Sequence, residues 1–197
     1  RIVFDESLQE TETFEIPEVT SERIEKAKTA LQEAFDKVKS VIAPKLAVEA
    51  AKSGASFEVK NGNEIVKDLI SKDFDVNDYL PLMIKESRLD PKAVSKSNAR
   101  GLFQITKVAE SEIKKYYSYE TSDIFSPSEN SVLGILYLHR CLNHYGENKV
   151  YGELASGDRE LLSYAIFNKG HGTISKLWAL SGAKSFEEFE KTMSLEL

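Results

Sequence analysis

Residues 86–105 read Glu86-Ser87-Arg88-Leu89-Asp90-Pro91-Lys92-Ala93-Val94-Ser95-Lys96-Ser97-Asn98-Ala99-Arg100-Gly101-Leu102-Phe103-Gln104-Ile105. Glu86 comes directly after Leu82, Met83 and Ile84, at the end of an apolar helical pattern. Desolvation there disfavours the charged carboxylate and raises its pKa, as a general acid at neutral pH requires. A solvated glutamate at a helix end is the plainer reading of the same position. The company Glu86 keeps argues for chemistry. Asp90-Pro91 forces a turn, and two serines, a glycine and Gln104 follow it. This order brings short hydrogen-bonding groups and a close backbone approach next to one carboxyl.

Working outward, Asp75 or Asn77 caps the helix that leads to Glu86, with Pro81 tolerated in an early turn. Downstream, residues 102–117 are predicted as an amphipathic helix, residues 118–127 as a loop and residues 128–145 as a mostly apolar, buried helix. Helices over 158–167, 173–181 and 185–193 complete this part. Upstream, Ile24, Ala27, Leu31, Ala34, Phe35, Val38 and Ile42 draw one apolar stripe from a cap at Thr20 or Ser21, and Pro44 ends or kinks that helix. A short helix over 45–52 follows. Packing and contact with a protein partner are the two readings of these N-terminal helices. Residues 56–67 read either as a hairpin turning at Asn61-Gly62 or as the start of a helix.

The 197 residues carry a net charge of −6. Residues 1–20 hold six acids and one base, so the other 177 residues sum to only −1. An acidic, extended arm is expected there. With no dense Lys/Arg stripe, nucleic acid is excluded as an expected partner. No apolar run approaches the roughly 20 residues of a membrane span. No signal core stands near Arg1, which leaves a removed leader and a trimmed chain equally open. The single cysteine, Cys141, forbids an intrachain disulfide and reads as a small buried residue. His139 and His144 are five apart and do not share a helix face, so neither a metal site nor any cofactor is expected. His171 reads as a surface loop histidine.

Three blocks, taken in order, resemble one family. Residues 86–104 fit, without a gap, the pattern E-S-x-x-x-P-x-A-x-S-x-x-G-A-x-G-L-x-Q of the lytic transglycosylases of the soluble type, related to goose-type lysozyme. Residues 127–138 resemble that family's P-x-x-N-(x)3-G-x-x-Y-L helix, and Ile166-Phe167-Asn168-Lys169-Gly170 resembles its A-Y-N-A-G turn.

The resemblance implies a mainly α, lysozyme-like catalytic domain over 73–197, preceded by a helical extension over 21–72 and the acidic arm over 1–20. It implies cleavage of the β-1,4 bond between N-acetylmuramic acid and N-acetylglucosamine in peptidoglycan glycan strands, leaving a 1,6-anhydro end. Glu86 would act as the sole acid and base. A cell-envelope location follows, or a phage virion acting on the wall. Ser95 and Ser97 match positions expected to bond the substrate's acetamido group or a water, and equally read as turn residues. Gln104 matches a saccharide contact, or is a core amide bonding the backbone. Tyr137 is placed near the cleft although its helix reads as buried, and Phe167 can stack on a sugar face. Asn168 bonds sugar or fixes its loop.

Three departures matter, one being that the proline usual soon after the glutamine is absent from Thr106-Lys107-Val108-Ala109. Asn98 stands where the family prefers glycine, although Asn tolerates left-handed backbone. Phe167 replaces the family's tyrosine, whose hydroxyl would lie near the catalytic carboxyl; Tyr164 is a candidate to supply one. Two other readings remain open: a hydrolytic muramidase using Asp90 or Asp123 as second acid, and a non-catalytic wall-binding module.

Overall fold

The computed structural model describes residues 18–52, 69, 71, 74–145 and 149–196. The hairpin reading of 56–67 and the arm through residue 17 lie outside these residues. The chain is mostly helical, and among the described residues β-pairing is confined to the isolated bridges Val94–Arg100 and Arg100–Ile105. This is the mainly α, lysozyme-like class expected from the sequence. No described helix is long and apolar enough to cross a membrane.

Helix α1 (Ser21–Lys37) starts where Thr20 accepts a hydrogen bond from the Arg23 N–H. It does not stop at Pro44. A π-turn, Val38–Ile42, carries it into α2 (Ala43–Lys52), with the Ala43 N–H reaching back to the Val38 carbonyl. Pro44 has no N–H to give, so a shifted ladder just before it absorbs the missing bond. Helix α3 (Val76–Ser87) is capped by Asp75, and Glu86 sits in its last turn. After an irregular stretch come α4 (Lys107–Tyr117), α5 (Pro127–Arg140) with a π continuation over Cys141–Tyr145, α6 (Ser156–Lys169), α7 (His171–Ser181) and α8 (Phe186–Glu196).

Two apolar cores result. The larger joins Leu31, Phe35 and Val38 of α1 and its π-turn to Met83 of α3, Ile113 of α4, and Leu133 and Leu136 of α5. Helix α1 therefore packs along α5 and α3 within the core that carries Glu86. The smaller core joins Cys141 to Leu162, Ile166, Ile174, Trp178 and Phe189 of α6, α7 and α8. Tyr137 and Phe167 pack against both cores, which marks the seam between them.

One expectation is corrected here. The helix predicted over 102–117 begins only at Lys107, capped by Thr106. Gly101 and Gln104 have φ of +74° and +49°, which no α-helix accommodates. Leu102, Phe103 and Ile105 are instead buried coil. Their anchor is Asn130, fully buried on the first turns of α5. Its Oδ1 accepts from the Phe103 N–H at 2.8 Å, while its Nδ2 donates to the Arg100 carbonyl at 3.0 Å and the Ile124 carbonyl at 2.9 Å. One turn further on, a Cβ at Gly134 would stand 2.2 Å from Phe103 Cγ, so only glycine leaves room for that ring. The asparagine and glycine of the 127–138 block thus act as a clamp and a seat for the 86–105 segment.

Asn130→Ala should expose this dependence. The buried Phe103 N–H and Ile124 carbonyl would lose this partner, while the Arg100 carbonyl would keep its bond from the Ile105 N–H, and an unsatisfied buried group costs about 1–3 kcal/mol. Because those costs do not simply add, the expected loss of stability is about 2–4 kcal/mol, read as a lower urea midpoint at unchanged slope.

Candidate active site

Glu86 is half-buried at the C-terminal end of α3. The chain leaves the helix through two left-handed residues, Arg88 (φ +53°) and Leu89 (φ +60°), with the Arg88 N–H closing onto the Ile84 carbonyl at 2.9 Å. Together with Asn98 and Gln104, they make four of the five non-glycine residues with positive φ among the described residues. Such backbone costs on the order of 1–3 kcal/mol per residue and persists only where its surroundings over-determine it. Here burial of Leu89 and hydrogen bonds within the loop do so.

The loop is tied to α3 and to itself. Ser87 Oγ lies 2.8 Å from the Leu102 carbonyl and 3.1 Å from that of Met83, so its one proton is shared between them. Asp90 accepts from the Lys92 N–H at 2.9 Å, the turn-capping role open to it. Ser95 Oγ accepts from the Ala99 N–H at 3.1 Å and lies 3.0 Å from Ser97 Oγ. Asn98 adopts φ +61°, the conformation for which the family's glycine is suited. A Cβ at Gly101 would fall 2.3 Å from Asn130 Nδ2, so this glycine answers both to φ and to close approach. Gln104 spends Nε2 on the Ala93 carbonyl at 3.1 Å and the Gly101 carbonyl at 2.9 Å, leaving its amide oxygen for other contacts. The ion pair between Arg100 and Glu110 ties the loop to α4.

From the other side of the seam, α6 brings the last two of the sequence-predicted residues. Asn168, in its final turn, donates from Nδ2 to Glu86 Oε1 at 3.1 Å. Phe167 points its ring at Phe103 (edge-on, centroids 6.3 Å) and at Tyr137 (5.3 Å). The structure therefore joins Asn168 to Glu86, sets Phe167 and Tyr137 together beneath the seam, and occupies Ser95, Ser97 and Gln104 with their own loop. Tyr164 is not a substitute for the missing hydroxyl at Glu86. Its Oη lies 3.5 Å from the Asp78 carbonyl, eight residues before Glu86 and hence about 12 Å away along the helix. His171 opens α7 instead of lying in a loop, with its ring edge-on to Tyr151 at 5.8 Å.

The Glu86 carboxyl is held above the ordinary glutamate range, first by burial; Lys85, the Asn168 amide and Lys169 oppose that shift without cancelling it. Geometry adds to the effect. Glu86 stands at the C-terminal end of its own helix and meets the C-terminal end of α6 through Asn168, and both ends carry partial negative charge. A carboxyl raised in this way beside exposed lysines keeps its proton to higher pH than an ordinary glutamate.

What sequence reasoning missed is the joining of Asn168 to Glu86 and the physical work of Asn130 and Gly134. The spacing of the second block contained the latter two, but nothing local says what they grip.

This arrangement, helices around a seam with a half-buried acid at a helix end, defines a lysozyme-like domain. The profile described as Transglycosylase SLT domain matches residues 72–190, and the chain belongs to that family, one of transglycosylases acting on peptidoglycan. Comparison with curated proteins and with solved structures finds no match.

Glu86→Gln should stabilise the fold at neutral pH. Because the folded pKa is raised, the native state binds the proton more tightly than the unfolded chain. Stability therefore falls as pH rises from the unfolded value through the folded one. The glutamine variant is free of that loss, so its melting temperature should exceed the wild type's at pH 7, with the gap closing below the ordinary glutamate range.

Proposed function

We propose that this protein is a lytic transglycosylase that cleaves the β-1,4 bond between N-acetylmuramic acid and N-acetylglucosamine, with Glu86 as the only acid and base. The observation that carries the reading is Glu86, a half-buried carboxyl raised by burial, on the three-block family framework. Glu86 protonates the glycosidic oxygen as the C1–O bond breaks. The carboxylate so formed then takes the proton of the muramic acid's 6-hydroxyl as that oxygen closes onto C1. The acid is restored, and a 1,6-anhydro end remains.

A hydrolytic course would need a second carboxylate placed for a water. Of the two candidates, Asp90 accepts from the Lys92 N–H and Asp123 from the Phe125 N–H at 2.9 Å, each a turn-capping role. Neither carboxyl has a hydrogen bond to Glu86 or Asn168, in keeping with the intramolecular route. The substrate's acetamido carbonyl serves the oxocarbenium-like centre in place of a protein group.

In this reading the Ser95 and Ser97 hydroxyls and the Gln104 amide oxygen face the saccharide, with Tyr137 and Phe167 as the apolar floor and no cofactor. The catalytic domain spans 73–197, and α1, within the extension over 21–72, braces it. Arg23 donating to the Arg88 carbonyl at 3.4 Å and Lys37 pairing with Glu129 are the contacts that support the brace. The place of action is the cell wall, reached from the envelope or from a virion.

Mass spectrometry of digests of purified peptidoglycan tests the reaction. The expected products end in 1,6-anhydromuramic acid, and Glu86→Gln should lower their rate of formation by roughly 10²–10⁴-fold. Reducing ends, one water heavier, would establish a muramidase instead. Intact walls that still bind the protein would point to a binding module.

A further inference from the structure

The family's tyrosine hydroxyl is absent from position 167, yet Glu86 is not without a donor. The Phe167 ring is spent on Phe103 and Tyr137. Its neighbour on the same helical turn, Asn168, makes the 3.1 Å bond to Glu86 Oε1. Asn168 is itself exposed, so this side chain is not held there by burial. It reaches Glu86 from the end of α6, where Gly170 (φ +80°) terminates the helix and its N–H closes onto the Ile166 carbonyl at 2.8 Å. Backbone geometry, not packing, aims the amide.

We infer that Asn168 is a positioning residue for Glu86: its amide N–H occupies Oε1, so that Oε2 is the oxygen that gives and regains the proton. This rests on the reading of Glu86 as the acid and base. A carboxylic acid carries its proton on one oxygen, and the other, the carbonyl oxygen, is the better acceptor for an N–H donor. With Nδ2 on Oε1, the proton of the neutral acid sits on Oε2 and leaves from there to the glycosidic oxygen. The 6-hydroxyl proton returns to the same atom, so the carboxyl does not turn between the two steps. An amide bound to the acid in this way acts through Glu86 and does not need to touch sugar.

The charged groups facing Glu86 are Lys85 from α3 and Lys169 from α6. Neither is altered by a change at 168, so a shift seen on substitution belongs to the amide. Because the N–H favours the ionised carboxyl, removing it raises the Glu86 pKa further.

The test is a carbon-13 titration of the glutamate carboxyls in substrate-free protein, with Glu86→Gln locating the Glu86 signal, for wild type, Asn168→Leu and Asn168→Asp. Both substitutions should move the Glu86 midpoint upward, Asn168→Asp more, since it sets a second carboxyl beside the first. On glycan strands, Asn168→Leu should lower kcat roughly tenfold with KM within about twofold, and shift the alkaline limb of kcat/KM upward. An unmoved Glu86 midpoint in both variants would overturn the inference. So would a raised KM at unchanged kcat, which would make Asn168 a sugar contact. If wild type cleaves nothing, the proposed reaction fails, while the titration still decides the bond.

Discussion

Everything at the site hangs on one buried amide. Asn130 satisfies three backbone groups of two loops at once, from a side chain with no exposure to solvent. The hydrogen bonds within 88–105 do not satisfy the whole segment: it contains left-handed residues without glycine's freedom, and its buried Leu89, Leu102, Phe103 and Ile105 fall on no regular period. Its peptide groups need partners from outside, because an unpaired buried group costs more than a formed bond returns. Asn130 provides them, Gly134 clears the space for Phe103, and the loop in turn holds Ser87 through the Leu102 carbonyl. Glu86 is thereby fixed from α5, through the loop, without a direct contact between them.

The same construction extends backward to α1. Glu129, the residue before Asn130, pairs with Lys37 of α1 and accepts from the Tyr119 hydroxyl. Burial pushes the Glu129 carboxyl up, but these partners outweigh it and hold the group below the usual glutamate range. At the other end of α1, Arg23 reaches the Arg88 carbonyl, two residues beyond Glu86. The N-terminal helix thus touches the site's scaffold at both ends while remaining outside the family's matched region, 72–190.

Two opposing demands meet at Glu86. Burial and two helix ends favour its neutral form, whereas Lys85, Lys169 and Asn168 favour the ionised one. For the proposed reaction both would be needed, since a carboxyl pushed too far in either direction would perform only one of its two proton transfers. The departure at Phe167 is consistent with this balance. Its ring fills the seam between the cores, and the polar contact falls to the next residue in the chain.

The sequence by itself determined the helical class, a cap at Asp75 or Asn77, the buried course of α5 and the placing of Glu86 at a helix end. These are local matters of period and capping, legible because each depends on neighbours three or four residues away. Asn98 in left-handed backbone and Asp90 in a turn belong here too. Tertiary structure alone decided the rest. Leu102, Phe103 and Ile105 carried apolar spacing that read as a helix, and became coil because Asn130, about 30 residues later, offered a better set of bonds than a helix could. Likewise the partner of Glu86 comes from a residue 82 positions away. No periodicity encodes such a meeting; it exists only once two cores have packed and brought two helix ends together.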